Sequence, residues 1–365
     1  MYCQEFTVKS VNKSRYHWIT GAFVFRQTIN RKVDLSRFTD TTRHLTNSGI
    51  PTQGIAFYHQ STLDLLQGLS CSVGLRYDYE HARCDFSKVQ QPLNGNGETK
   101  SLEQFNRSLH FGQFTPKFSM QYLSSHNQLF YASVSKGYKA GGFNVSFLNN
   151  DDYLYSPEYN WNYEIGTKLS FLNNRLSADL SLFYIDWRNQ QITNTIPTVG
   201  NVIRNAGRSR NKGIEASFQA RPTKSWMMYM NYGYTDARFV HYQKEERGIL
   251  KDYGGNYLPM VPRHTFSLTT GYSFYDICSW IDRLTLNAGV SVTGPIYWYE
   301  DNQAKQSPYA LVNLRISINK GCFTWEAWSK NLTNTDYLSY YFVTSKAYAQ
   351  KGKPITLGTS VSISL

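Results

Sequence analysis

The sequence lacks long apolar runs and is poor in cysteine. No uncharged apolar stretch approaches the ~20 residues of a membrane-spanning helix, which argues against a helical membrane protein. The 365 residues include five cysteines, no two of them in CxxC spacing, and eight dispersed histidines. This pattern indicates neither a disulfide framework nor a zinc site.

Catalytic signatures are also absent from the sequence. No Ser-His-Asp or Cys-His arrangement can be argued, and no GK(S/T) motif follows the glycines Gly137, Gly141 and Gly142. We interpret these glycines as a strand-to-loop corner, where residues without a Cβ atom tolerate unusual backbone angles. We therefore expect no enzyme and no cofactor, and we assign no catalytic, cofactor-binding, metal-binding or ligand-binding residue.

Acidic residues are outnumbered. The chain has 38 Lys and Arg against 26 Asp and Glu, a formal net charge of +12. The basic residues are scattered, with no dense run and no helical stripe, which argues against a nucleic-acid partner. The surplus fits attraction of anionic ligands or of lipopolysaccharide phosphates, and it fits general solubility equally well.

What the sequence does contain is strict two-residue alternation. In the segment 69–80, apolar or aromatic residues occupy the odd positions and small, polar or charged residues the even ones. Successive side chains of a strand point to opposite faces, so this strand has one apolar and one polar face. A sandwich core could use such strands, whereas a membrane β-barrel requires them. Aromatic residues make up 16% of the chain, as interfacial girdles would need.

Turn-forming residues divide the chain into about fifteen strands. Short turns are predicted at 12–14, 67–68, 124–127, 173–174, 222–223 and 320–321, with a slightly longer link near 276–282. Long polar connections are predicted at 30–51, 83–104, 139–160, 189–201, 239–261, 297–308 and 334–354. This alternation places the short turns at one end of an all-β, antiparallel transmembrane β-barrel. A propeller is disfavoured because no repeat of ~40 to 50 residues is visible.

Several motifs resemble the C-terminal barrel of TonB-dependent outer-membrane receptors of the siderophore-receptor type. The most specific is the segment 129–144, which resembles a strand and loop ending in G-(Y/F)-(K/R)-x-G-G-(Y/F)-N. Further matches follow in the family's order: GLRYD at 74–78, YSPE at 155–158, NYEIGTK at 162–168, NAG at 205–207, GIE at 213–215, NYLPMVP at 256–262, WSKNLTNTDY at 328–337 and GKP at 352–354.

The resemblance implies a function and a set of partners. It implies a receptor of the Gram-negative outer membrane for energised uptake of a scarce ligand, most commonly a ferric siderophore. The TonB–ExbB–ExbD complex would supply the energy, and outer-membrane lipid and lipopolysaccharide would surround the barrel. A passive porin-like pore and a non-functional receptor fragment remain as alternatives.

The resemblance also implies that this chain is a portion of such a receptor. Residues 1–365 are expected to form a single β-barrel domain, about fifteen strands of a larger barrel. The N-terminal plug and about seven of the roughly twenty-two family strands are expected to be missing. The N-terminus has no apolar core of signal-peptide type, and Leu365 replaces the family's terminal Phe or Trp. We expect that this chain does not form a stable receptor alone.

A few residues invite both structural and functional interpretations. For Glu158 and Glu164 we favour barrel-wall carboxylates that pair with a basic side chain such as Lys168 over an acid/base pair. The aspartates at 151–152 are expected to be solvated.

At other positions, Asn331 and Asn334 are expected to satisfy backbone groups at a strand end. Trp298 is expected to belong to an aromatic girdle rather than to a ligand-stacking loop. The loop aromatics that remain candidates for ligand contact are Tyr153, Tyr155 and Trp161.

Overall fold

The computed structural model describes residues 1–364 apart from 12–13, 37–40, 94–96, 148, 197–198, 206, 247–248 and 344–345. The described residues form strands, their connections and one short 3-10 helix, Asn150–Tyr153. No helix among them is long and apolar enough to cross a membrane.

The strands are β1 (Tyr2–Lys9), β2 (Tyr16–Ser36), β3 (Thr42–Leu66), β4 (Leu69–Pro92), β5 (Lys100–Leu123), β6 (Leu129–Lys139), β7 (Gly142–Phe143), β8 (Leu154–Tyr155), β9 (Glu158–Phe171), β10 (Leu176–Arg188), β11 (Gln191–Ile196), β12 (Gly200–Asn205), β13 (Arg208–Ala220), β14 (Trp226–His241), β15 (Gln243–Glu246), β16 (Ile249–Asp252), β17 (His264–Cys278), β18 (Ile281–Thr293), β19 (Ile296–Tyr297), β20 (Lys305–Gln306), β21 (Tyr309–Lys320), β22 (Phe323–Lys330), β23 (Leu338–Val343), β24 (Ala347–Lys351) and β25 (Thr356–Ile363).

Fifteen of these strands form one antiparallel sheet, which confirms the predicted strand number and fold class. The sheet order is β1-β2-β3-β4-β5-β6-β9-β10-β13-β14-β17-β18-β21-β22-β25. The other ten strands form two-stranded hairpins within the connections: β7–β8, β11–β12, β15–β16, β19–β20 and β23–β24.

By packing, the chain divides into two compact units, which are described separately. Unit 1 comprises Met1–Met120, Val134–Trp161 and Trp187–Ala206. Unit 2 comprises Gln121–Ser133, Asn162–Asp186 and Gly207–Leu365.

The alternation predicted for 69–80 is confirmed in unit 1. On β4, Val73 and Leu75 are 55% and 49% exposed, and Tyr77 and Tyr79 follow them on the same face. Further along the strand, the opposite face carries buried side chains such as Cys84. In unit 1 we call the face that carries Val73 the outer face and the opposite one the inner face.

Two predicted long connections in unit 1 are mostly strand. The prediction of loops at 30–51 and 83–104 is wrong, because β2 and β3 pair without a break from Tyr16↔Leu63 to Ser36↔Arg43. Strands β2 to β5 are therefore 21 to 25 residues long. Polar residues do not end a strand whose two faces both meet water, since the backbone ladder satisfies its own hydrogen-bonding groups. The polar residues in the sequence therefore mark where the strand faces become polar, and they do not mark where strand pairing ends.

The short turns are confirmed where the structure describes them. Gly68 and Gly321 have φ of 81° and 53°, and Asn127, Asn173 and Asn174 also have positive φ, which Gly and Asn tolerate best. The link near 276–282 is tighter than predicted, since Cys278 pairs with Ile281. The turn residues 12–13, the centre of the motif at 205–207 and Leu365 lie outside the described residues.

Unit 2 is built from shorter strands. Its sheet strands β13, β14, β17, β18, β21, β22 and β25 are 8 to 16 residues long. Its long connections contain the hairpins β15–β16, β19–β20 and β23–β24. The positions predicted for the long connections after residue 239 therefore match the structure.

Candidate functional site

In unit 1, the connection after β6 packs onto the inner face of the long strands. Phe143 forms a buried cluster with Ala82, Cys84 and Phe86 of β4. The outer face of this part of β4 carries polar residues such as Arg83 and Asp85, so this part of the strand does not face lipid. Burial raises the pKa of the Cys84 thiol to about 11, which makes this cysteine an inert packing residue.

Further aromatic rings extend this buried cluster. Phe105 stacks on Phe86 with ring centroids 4.7 Å apart and on Tyr153 at 4.8 Å. Phe147 meets Tyr153 edge to face at 4.4 Å. The Arg107 guanidinium lies 5.0 Å from the centre of the Tyr153 ring, within cation–π range. Tyr153, a candidate for ligand contact, is thus only 4% exposed and belongs to the loop core.

A charged pair fixes the same connection to the hairpin β11–β12. Arg204 Nε and Nη2 donate to the two carboxylate oxygens of Asp152 at 2.7 and 2.8 Å. Asn144 Nδ2 donates to the carbonyl oxygens of Asp152 and Ile203, and Asn144 Oδ1 accepts from the Ile203 N–H, all at 2.8 Å. The expectation that the aspartates at 151–152 are solvated is wrong for Asp152, which is 6% exposed.

A cavity of about 270 Å³ adjoins the aromatic cluster on the inner face of unit 1. The walls come from alternate residues of β2, β3 and β4 and from two connections, and they are Val33, Leu35, His44, Thr46, Phe86, Lys88, Val145, Ser146, Phe147 and Val199. Lys88 brings a positive charge to this wall and His44 an imidazole ring, and no carboxylate is among the residues that the structure describes in the wall. The His44 Nδ1 atom is buried without a hydrogen-bond partner among the described residues. The arrangement suits an anionic group attached to an aromatic or apolar body.

Glu158 pairs with a basic side chain, as expected, but this side chain is Lys139 and not the suggested Lys168. For Glu164 the expected basic partner is wrong, since its partner is a tyrosine. In unit 1, Glu158 Oε2 accepts from the Gln191 backbone N–H at 2.5 Å, and Glu158 Oε1 lies 3.8 Å from Lys139 Nζ. In unit 2, the Tyr131 hydroxyl donates to Glu164 Oε1 at 2.6 Å. Glu158 is thus held by loop backbone and a lysine, and Glu164 by a tyrosine hydroxyl.

The glycines of the 137–142 corner serve close approach rather than unusual backbone angles. None of the three is among the described glycines with positive φ, so the reason given for them is wrong. A Cβ atom on Gly141 would collide with the Tyr155 carbonyl oxygen, and one on Gly142 with the Tyr155 hydroxyl. Gly141 lets the two arms of this connection approach backbone to backbone, and Gly142 leaves room for the Tyr155 ring.

In unit 2, the loop aromatics pack on one another. Trp298 is 5% exposed and lies 6.3 and 6.4 Å from the ring centres of Tyr340 and Tyr341. The Tyr299 hydroxyl accepts from the Val343 N–H at 2.6 Å, and burial raises the pKa of Tyr299. A girdle residue must face lipid, so the girdle interpretation of Trp298 is wrong.

The asparagines of the WSKNLTNTDY motif act as predicted. Asn331 Nδ2 donates to the carbonyl oxygens of Thr335 and Lys353 at 3.0 Å, and Asn331 Oδ1 accepts from the Thr335 N–H at 2.9 Å. Asn334 Oδ1 accepts from the Ile355 N–H at 3.0 Å. These bonds anchor the start of β25.

Sequence reasoning missed Arg107, the Asp152–Arg204 pair and the cavity residues Lys88 and His44. The partners lie far apart in the chain, and scattered basic residues carry no periodic signal. Among the residues that the structure describes, no group of three or more His, Cys, Asp or Glu could hold a metal ion.

Comparison with known proteins gives one family. The model of the TonB-dependent receptor-like β-barrel matches residues 6–334. A pesticin receptor of Yersinia pestis is 24% identical over 354 residues, which cover 93% of this chain and 48% of that protein. A probable TonB-dependent siderophore receptor, PiuA of Acinetobacter baumannii, is 26% identical over 241 residues, 61% of this chain and 30% of that protein.

Solved structures show the same fold. The ferric yersiniabactin uptake receptor FyuA of Yersinia pestis superposes with a TM-score of 0.84 at 19% identity, covering 99% of this chain and 53% of that one. The siderophore receptor PiuA of Acinetobacter baumannii gives a TM-score of 0.60 at 17% identity, covering 94% and 56%. The chain spans about half the length of the pesticin receptor that it matches.

Proposed function

Because this chain belongs to the TonB-dependent receptor-like β-barrel family, whose members lie in the Gram-negative outer membrane, we propose that it is the barrel portion of a receptor that takes up a ferric siderophore. Relatives that support this proposal are named as a siderophore receptor and as a ferrichrome outer membrane transporter. In this proposal residues 1–365 form one barrel domain without catalytic activity. Energy comes from the TonB–ExbB–ExbD complex through parts of the receptor outside this chain.

The wall of the cavity in unit 1 is the observation that favours a ferric siderophore as the ligand. Ferric siderophores hold Fe³⁺ with oxygen donors such as phenolates, hydroxamates and carboxylates, and many of the complexes are anionic. The cavity offers Lys88 and His44 to such a complex and Phe86 and Phe147 to its organic frame.

Uptake of radioactive iron tests this proposal. A strain deprived of its own receptors would express the receptor that carries this chain, and uptake of ⁵⁵Fe-loaded yersiniabactin, ferrichrome and ferric citrate would be measured with and without TonB. We expect TonB-dependent uptake of at least one complex, and we expect Lys88→Gln to raise its Kd by about tenfold.

The control for this substitution is Lys100→Gln, which removes the same charge from a position outside the cavity wall. TonB-independent entry of all complexes and of small sugars at equal rates would contradict the proposal and establish a passive pore. Unchanged binding by Lys88→Gln would leave uptake standing and remove the cavity from the binding site.

A further inference from the structure

Two histidines stand side by side on the outer face of unit 1. His81 follows Tyr79 on β4 at two-residue spacing and therefore points to the same, outer face. Its ring stacks on that of His110 of β5, with ring centroids 4.5 Å apart and ring planes 20° from parallel. His110 is exposed and His81 is half-buried, so water and small ions reach the pair. The cavity of unit 1 lies on the opposite, inner face and is separate from these rings.

The ring nitrogens of this pair have few partners within the protein. The Tyr79 hydroxyl lies 2.9 Å from His110 Nδ1. His81 makes no hydrogen bond within the part of the chain that the structure describes. When a histidine binds a metal ion through one ring nitrogen, its other ring N–H is usually held by a hydrogen bond. The Tyr79 oxygen can accept this bond from Nδ1–H, which leaves the Nε2 lone pair of His110 for an ion.

The distance between the two rings allows one ion to bind both histidines. In zinc sites the Zn–N distance is about 2.0–2.1 Å, which places two ligating nitrogens of a tetrahedral site roughly 3.3 Å apart. Imidazole rings rotate broadly about χ2, so rings with centroids 4.5 Å apart reach this separation without a change of the backbone. Because β4 and β5 are neighbours in one sheet, the two side chains are held together before an ion binds.

Nearby positive charges do not exclude a cation from the pair. Arg83, the next outer-face residue of β4, is largely neutralised by Asp85, whose Oδ1 lies 3.0 Å from Arg83 Nη2. Arg26 is two strands away from His81, because Gln53 pairs with both of them. At about 4.8 Å per strand this separation is roughly 10 Å, and salt at ~0.1 M screens the repulsion between exposed charges over that distance.

We propose that His81 and His110 form a two-histidine site for a divalent metal ion such as Zn²⁺ or Cu²⁺, with water in the remaining coordination positions. Imidazole nitrogen suits Zn²⁺, Ni²⁺ and Cu²⁺, whereas Mg²⁺ and Ca²⁺ prefer oxygen ligands. A bound ion links β4 to β5 on the outer face. The two residues lie far apart in the chain, so the spacing of histidines in the sequence does not reveal the pair. The site does not depend on the proposed uptake of iron, and failed uptake would leave it intact.

Metal titration of the purified protein tests this proposal. The protein that carries this chain is purified in dodecyl maltoside without a histidine tag, stripped of metal with EDTA and titrated with ZnCl₂ and CuCl₂ by isothermal titration calorimetry. We expect His81→Gln and His110→Gln each to raise the Kd of both ions by at least about tenfold, because the ion then has a single protein ligand. The control His59→Gln removes an outer-face histidine of β3, whose Nε2 lies 2.9 Å from Ser61 Oγ, and should leave binding unchanged.

Three further results distinguish metal ligation from a structural effect. With one equivalent of Cu²⁺, the electron paramagnetic resonance spectrum should show two nitrogen ligands in the wild type and one in His110→Gln. Saturating Zn²⁺ should raise the thermal unfolding midpoint of the wild type and not that of His81→Gln. Tyr79→Phe keeps both histidines but removes the hydrogen bond to Nδ1, and it should raise the Kd of Zn²⁺ by about tenfold.

Equal binding of Zn²⁺ and Cu²⁺ by the wild type and by H81Q/H110Q would overturn the proposal. So would equal losses in His81→Gln and His59→Gln, because binding would then follow the number of histidines and not the pair. Each variant must show the same heat-modifiable migration as the wild type.

Discussion

The connections between sheet strands are stabilised in different ways in unit 1 and in unit 2. In unit 1, strands β2 to β5 continue past the apolar part of their outer face, and the connection after β6 packs onto their inner face. In unit 2, the strands are shorter, and small hairpins bury aromatic rings such as Trp298 among themselves. The long strands of unit 1 supply a wall on which a cavity forms, whereas the hairpins of unit 2 stabilise their own connections.

Breaking the charged pair of unit 1 should have the largest effect. Arg204→Ala leaves the Asp152 carboxylate buried without its bidentate partner, which should destabilise the connection after β6 by about 3 kcal/mol. We expect limited proteolysis to cut within 143–153 in this variant and not in the wild type. The double variant D152N/R204Q should be cut less, and equal cutting of both variants would contradict this account of the pair.

Truncating the aromatic cluster should come next. Phe86→Ala removes a side chain that is 3% exposed, and a local loss of roughly 3 kcal/mol should follow. Hydrogen exchange should rise in 143–153 of unit 1 and stay unchanged in the hairpin β23–β24 of unit 2. Trp298→Ala should give the opposite pattern. If either substitution loosened both regions equally, the division into two independent loop cores would be wrong.

Glycine substitutions should distinguish Gly141, which another chain segment approaches closely, from Gly74, which has ordinary packing contacts. Gly141→Ala places a Cβ against the Tyr155 carbonyl oxygen and should cost about 1–3 kcal/mol. Gly74→Ala on β4 meets its nearest atoms at 3.7 Å and serves as the control. Thermal unfolding in detergent should distinguish the two, and a lower midpoint for Gly74→Ala than for Gly141→Ala would refute the role given to this corner.

The smallest effect should be a dependence on pH in unit 2. The Gly321 N–H, and then Lys320, hold the pKa of Asp282 below its ordinary value of 3.8. A carboxyl whose folded pKa is lowered stabilises the fold above its unfolded pKa, and that stabilisation disappears as pH falls through the folded pKa. Melting temperatures between pH 5 and pH 2 should therefore fall less steeply for Asp282→Asn than for the wild type, as a pH series would show. Parallel curves would refute this contribution.

The fold was predictable because a lipid-facing strand must alternate. The alternation at 69–80 and the turn residues such as Gly68 and Asn174 defined the strand number. The ends of β2 to β5 were not predictable, since polar residues at 30–51 continue the ladder when water lies on both sides. Gly and Asn mark a chain reversal in the sequence only where the turn requires a positive φ, as at Gly68 and Asn174.

The site was less predictable because its partners lie far apart in the chain. Asp152 and Arg204 are 52 residues apart in the chain, and no local pattern joins them. The role of Asn331 was predictable since its partner Thr335 is only four residues away. Local hydrogen bonds leave a sequence signal that distant ion pairs do not.

Hydrogen exchange of the segment 142–153 in the receptor that carries this chain, reconstituted in outer-membrane lipid, tests the central claim most directly. We expect Phe143, Asn144, Asp152 and Tyr153 to exchange slowly, because these residues are buried on the inner face of unit 1. Exchange as fast as that of the exposed residues 100–102 would show that the connection is not packed there and that the cavity is not formed.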